Sequence, residues 1–173
     1  SSSLEKLATL RTAFKENGTV TAGNSSPVND GASAVILATK DYAEKHGIPY
    51  LAELVDSTEV GIDPAIMGVS PIEAIKKLIN RSELELSDID LFEINEAFAA
   101  SSLAVNRELG LNESQVNIYG GAIALGHAIG SSGSKILTTL SYALKREQKR
   151  YGIASLCIGG GLGLAVLLKN PNL

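Results

Sequence analysis

Residues 89–109 read IDLFEINEAFAASSLAVNREL, and their periodicity changes midway. Ile89 to Ile94 has strand composition, whereas Phe98, Val105 and Leu109 recur at helical intervals until Gly110 stops the run. Asn95 therefore stands at a strand–turn–helix junction. Open α/β sheets present ligand-facing groups where a strand ends and a helix begins, which makes Asn95 and Glu96 candidate site residues. The plain alternative for Asn95 is a helix N-cap, and Glu96 is expected to satisfy backbone donors at the same corner.

Upstream of this junction, Ser70 reads as an N-cap, Pro71 as the first helical residue and Glu73 as the partner in a capping box, with Ile72, Ile75, Leu78 and Ile79 on one stripe. Tyr50 to Val60 reads as an extended segment closed by Gly61 and Pro64. Thr39 caps a short helix ending near Gly47, where His46 fits a C-terminal cap. Ala32 to Ala38 is an apolar run of strand length after the polar loop 19–31, and residues 3–16 read as an amphipathic helix with Leu7, Leu10 and Phe14 on one side. Downstream, Val116 to Tyr119 reads as a short strand, Gly133 to about Lys149 as a helix, and Ile153–Ile158 and Leu162–Lys169 as antiparallel neighbours across GGG. The expectation is an α/β fold: a mixed sheet of roughly five strands in βαβαβαββ order, with helices on both faces.

Composition limits the function. The chain has 173 residues, 45% hydrophobic and 20% charged, the profile of a globular domain. It has no apolar run near the roughly 20 residues that span a bilayer, and Ser1 to Leu10 lacks a secretory pattern, so the cytoplasm is the expected compartment and no membrane role is read. A net charge of −4 leaves no basic field for nucleic acid. One cysteine and two histidines are too few for an ordinary closed zinc site.

Glycine is the uneven component. Ten of the seventeen glycines lie between Gly120 and Gly163, around the only cysteine. Cys157 ends an apolar strand just before Gly159–Gly161, where bare backbone amides can stabilise an oxyanion; a free cysteine there is otherwise a small buried hydrophobe. His127 in GHAIG is flanked by flexible backbone and titrates near neutrality, which suits proton transfer, although a lone histidine is more often structural. GGAIALGHAIGSSG has neither a Walker ending nor dinucleotide spacing.

Taken together, NEAFAA (95–100), GGAIALGHAIGSSG (120–133) and CIGGGLGLA (157–165) resemble, in this order and spacing, the C-terminal signatures of the thiolase family. The resemblance covers essentially the whole chain, including TVTAGNSSPVNDGASAV (19–35), and is closest to the acetyl-CoA acetyltransferase branch. It implies that residues 1–28 end a coenzyme A-binding loop region and that 29–173 form the C-terminal catalytic domain. It also implies a coenzyme A thioester as substrate, no covalently bound cofactor and no metal.

By the same resemblance, Cys157 is the base that removes an α-proton, and His127 activates a nucleophilic thiol and contacts the thioester oxygen. Asn95 positions a water of one oxyanion hole, and Gly159 gives a backbone donor of the second. Ser26 would bond the pantetheine and Ala22 line its tunnel, with Phe14 and Met67 around the pantetheine and acyl end and Phe98 walling the acyl pocket. Ala128, Pro27 and Ser70 depart from the family pattern of Pro, Gly and Gly. The family's acyl-accepting cysteine has no counterpart in this chain, which leads to the expectation of a piece of a longer polypeptide, inactive without an N-terminal half. The intact protein would be a homodimer or homotetramer, and the isolated chain would expose an apolar face of the helix after Asn95 or of the helix from Gly133. A degradative 3-ketoacyl-CoA thiolase, a non-catalytic assembly module and a cysteine–histidine hydrolase are the alternatives.

Overall fold

The computed structural model describes residues 2–173; Ser1, the first residue of the expected 1–28 region, lies outside the described residues. Six helices and four strands follow one another as α1 (Leu4–Ala8), α2 (Lys40–Lys45), β1 (Glu53–Gly61), α3 (Ser70–Arg81), β2 (Leu91–Ile94), α4 (Ala99–Leu109), α5 (Ala122–Leu125), α6 (Ser132–Arg146), β3 (Tyr151–Ile158) and β4 (Leu162–Lys169), with short 3-10 turns between them. The sheet order is β1-β4-β3-β2: β4 runs antiparallel to both its neighbours, and β2 lies parallel to β3.

Alternation along the strands builds two cores. Phe92, Ile94, Ile153, Ala165 and Leu167 join Ile72, Ala74, Ile75 and Leu78 of α3 and Val105 of α4. Leu91, Ala154, Val166 and Leu168 turn to the other face, onto Ile136, Leu140, Ala143 and Leu144 of α6. Successive strand residues point to opposite faces, so a sheet covered on both sides has continuously apolar strands. Helices on both faces of a mixed sheet are as expected. The terminal hairpin is too, turning through Gly160 and Gly161 at φ +89° and +88°.

Four local expectations are corrected. The strand expected at Val116–Tyr119 reduces to a single bridge between Phe92 and Val116, and with Ala32–Ala38 also unpaired the sheet has four strands where roughly five were expected. Asn117 takes φ +48° there, and its side chain pairs with both backbone groups of Ile94 at 2.8 Å, so the chain turns away after one rung. Ala32–Ala38 forms neither strand nor helix, since no strand lies beside it; Ile36 is 99% exposed. The 3–16 helix stops at Ala8, and the chain folds back through the Ala13–Val20 hydrogen bond (2.8 Å), with Leu7 and Leu10 lying against Gly23. Ser70 is the first residue of α3 and not its cap, because its hydroxyl donates to Leu162 O at 2.8 Å and holds the helix start on β4.

Of the helices expected to keep a bare face, α6 packs on the sheet and α4 on turn 64–69 and α3, while Leu103 of α4 and Tyr142 of α6 stay exposed. Further exposed apolar surface lies along Val28, Val35, Ile36 and Leu37.

Candidate active site

The parallel pairing of β2 with β3 sets the site. Ile94 lies opposite Ser155, and the Asn95 N–H continues the ladder to Ser155 O at 2.9 Å. The ends of these two strands therefore carry Asn95 and Cys157 to the same end of the sheet. Phe98 precedes α4 and no side chain caps that helix, so Asn95 is not its N-cap. Glu96 does hold a backbone donor: its Oε2 accepts from Ile123 N at 3.1 Å.

The loop from Asn24 to Asn29 ties this corner to the histidine. Ser26 N–H donates to Ala97 O (2.9 Å), Ala99 N–H donates to Asn24 O (2.9 Å), and Val28 forms a parallel bridge with His127. Asn29 Oδ1 accepts the His127 backbone N–H at 3.0 Å. This needs glycine at 126: its φ is +93°, and a Cβ there would lie 2.8 Å from Asn29 Oδ1.

The His127 ring is held from both sides. Its Nδ1 lies 2.6 Å from Ser132 Oγ, which is also 2.9 Å from Ala128 O. With the hydroxyl proton on Ala128 O, Ser132 accepts from Nδ1–H, the tautomer that leaves a lone pair on Nε2 of the neutral ring. That lone pair faces Asn95 Nδ2 at 3.5 Å. Burial, with the Lys135 charge second, pushes the histidine below its ordinary value and favours the neutral form. Lys135 itself donates to Gly126 O at 2.7 Å, just before the histidine.

Burial pushes the half-buried Cys157 thiol up, outweighing a backbone hydrogen bond that acts the other way. Gly159 faces open space, whereas Gly161 is crowded by residues of this chain: a Cβ would lie 2.3 Å from Ile62 O. Phe14 and Phe98 meet edge to face with centroids 6.0 Å apart. Ser26 is half-buried, Ala22 is exposed, and Met67 is half-buried in the turn that packs on α4.

The structure thus brings Asn95 with His127, and Phe14 with Phe98. Cys157 and Gly159 share the same end of the sheet, with no hydrogen bond to the Asn95–His127 pair among the described residues. Asn29, Ser132, Lys135 and Glu93 escape a reading by motif; the only signal was a hydroxyl five residues after the histidine at a helix start. Among the described residues no cluster of three or more His, Cys, Asp or Glu side chains is placed to hold a metal ion, and no helix is long and apolar enough to cross a membrane.

On this α/β sheet a strand-end asparagine faces a histidine, with a cysteine at the adjacent strand end. Residues 48–170 match the model of the thiolase C-terminal domain and residues 1–41 that of the thiolase N-terminal domain, and the chain belongs to the thiolase family. It is 54% identical over 166 residues to a probable acetyl-CoA acyltransferase of Staphylococcus aureus, covering 96% of this chain and 42% of that protein. It is 48% identical over 168 residues to an acetyl-CoA acetyltransferase of Paracoccus denitrificans, covering 97% and 43%. The crystal structure of human mitochondrial 3-ketoacyl-CoA thiolase superposes with a TM-score of 0.95 at 48% identity, over 98% of this chain and 43% of that one. The same enzyme in complex with CoA gives 0.94, at the same identity and coverage. The chain spans less than half the length of these relatives.

Proposed function

We propose that this chain supplies the C-terminal catalytic portion of an acetyl-CoA C-acetyltransferase, which condenses two acetyl-CoA to acetoacetyl-CoA and CoA and runs the reverse thiolysis. The observation that carries it is the pair of Asn95 Nδ2 and the free Nε2 lone pair of His127 at the sheet end that also bears Cys157.

His127 Nε2 takes the proton of the acyl-accepting thiol. The thiolate so formed attacks the first acetyl-CoA, and the departing CoA takes the Cys157 proton. The Cys157 thiolate left behind takes the α-proton of the second acetyl-CoA, and the enolate carbon attacks the acyl-enzyme carbonyl, expelling the acyl-accepting thiolate, which His127 reprotonates. In thiolysis the Cys157 thiol returns that proton, a role suited to a thiol kept protonated by burial. Charge develops on thioester oxygens in both directions, where a water held by Asn95, the protonated His127 and the Gly159 N–H act as donors. Ser26, whose hydroxyl has no partner among the described residues, and the Phe14–Phe98 pair fit the pantetheine and acyl end, with Ala22 and Met67 beside them.

One cysteine cannot serve as both nucleophile and base, so the acyl-accepting thiol belongs to sequence outside these residues and the chain alone does not turn over. Composition supports a cytoplasmic location, and the exposed Val28, Val35, Ile36 and Leu37 support assembly with further thiolase sequence, as a homodimer or homotetramer when intact. The likeness to a 3-ketoacyl-CoA thiolase keeps a degradative reading as the second one. The deciding experiment assays acetoacetyl-CoA and longer 3-ketoacyl-CoA with free CoA, using this chain alone and the complete polypeptide. Turnover by the chain alone would overturn the division of cysteines, and preference for long chains would select the second reading.

A further inference from the structure

Behind the Asn95–His127 pair, on the α6 side of the sheet, lies a small cavity of about 40 Å³. Glu93, Asn95, Asn117, Lys135 and Thr139 are among the residues that line it. Glu93 and Asn95 are two residues apart where β2 ends, so the strand's period of two turns both toward the same face. They are only 5% and 6% exposed. Neither polar head is matched: Asn95 Oδ1 is sealed from solvent with no hydrogen-bond partner, and the Glu93 carboxyl has no hydrogen bond or ion pair among the described residues. Buried polar groups are nearly always bonded, and a polar cavity of this size has room for water.

We propose that Glu93 is a positioning residue: through one buried water it holds the Asn95 carboxamide with Oδ1 turned into the cavity and Nδ2 turned toward His127. This water is distinct from one bound in the oxyanion hole, because it lies behind the amide. The water donates to Asn95 Oδ1 and bonds the Glu93 carboxyl at its other side. Without that anchor the amide is free to rotate and set Oδ1 against the Nε2 lone pair, acceptor against acceptor. The other charged or titratable groups here are Lys135 from α6, bonded to Gly126 O; Glu96 from the corner, bonded to Ile123 N; and His127 itself. Burial keeps the Glu93 carboxyl protonated up to about 7 while Lys135 opposes that shift, so an uncharged Gln is a fair substitute.

The catalytic consequence rests on the acyl-transfer reading, while the water and the amide can be observed without it. In a high-resolution crystal structure, one ordered water within hydrogen-bond distance of both Glu93 and Asn95 Oδ1 is expected. In the complete polypeptide, Glu93→Leu should lower kcat about a hundredfold with little change in KM, the scale of a misplaced group. Glu93→Gln should restore most of it, and hydrogen exchange of the Asn95 side-chain amide should quicken in the leucine variant only. A water that avoids Asn95, or equal losses in both variants with unaltered amide exchange, would overturn the proposal. If the complete polypeptide shows no acyl transfer at all, the functional reading falls, and the water and the amide exchange still decide the role of Glu93.

Discussion

Nδ1 of His127 lies 2.6 Å from Oγ of Ser132, which also lies 2.9 Å from Ala128 O one turn back. A hydroxyl that gives its proton to Ala128 O makes the imidazole the donor. Ser132→Ala should release the ring. With both tautomers populated and the ring free to turn, kcat of the complete polypeptide should fall about ten- to a hundredfold while KM changes little. Nitrogen NMR of the ring is the direct check: wild type should show a protonated Nδ1 and a bare Nε2, and a mixed signal in wild type would defeat the assignment.

The Cys157 thiol should be slow to alkylate at neutral pH. Its burial disfavours the thiolate, so the rate with iodoacetamide should rise only as pH moves above the ordinary thiol value. A rate already at its plateau at pH 7 would mark a low-pKa nucleophile and favour a cysteine–histidine hydrolase over a base.

Stability should decline as pH rises through the range in which Glu93 titrates. Its carboxyl goes from an ordinary 4.5 to about 7 on folding, so the folded chain binds more protons between those values. The contribution is complete below pH 4.5 and lost as pH rises through 7, about 3 kcal/mol in all at 1.36 kcal/mol per unit. Urea unfolding of this chain across that range measures it. Glu93→Gln should flatten the profile; an unchanged slope in the variant would mean another group is responsible.

Gly126→Ala should damage the site more than the fold. A side chain there meets both the left-handed backbone and the Asn29 carboxamide. The strain, roughly 1–3 kcal/mol, falls on the loop, so hydrogen exchange at the His127 amide should quicken while the hairpin amides keep their protection. By contrast Leu78→Ala, in the α3 core, should cost about 2–5 kcal/mol in urea unfolding with the loop's local protection pattern retained.

The elements legible in the sequence are those whose own residues specify their partners. The β3–β4 hairpin is set by two apolar runs around GGG, and the body of α3 by an apolar stripe that finds β4. The Ala32–Ala38 run is equally apolar, but no strand of this chain lies beside it, and the stripe of Leu7, Leu10 and Phe14 meets Gly23 and Phe98 in place of a helix or sheet face, contacts that periodicity does not report. Within the site, Asn95 and His127 stand out by motif, whereas Ser132, Asn29 and Glu93 matter through distances that only the folded chain creates. Asn29 reaches His127 across 98 residues, and nothing local announces that.

Asn117 also bears on how this sheet meets other chains. Its backbone N–H bonds Phe92 O, and its side chain takes both the N–H and the C=O of Ile94. An open strand edge invites pairing with another molecule and, from there, aggregation. On β2 those groups are already engaged by a single asparagine, so an incoming strand finds no ladder to extend. The residue that ends the expected fifth strand also protects the edge from unwanted growth.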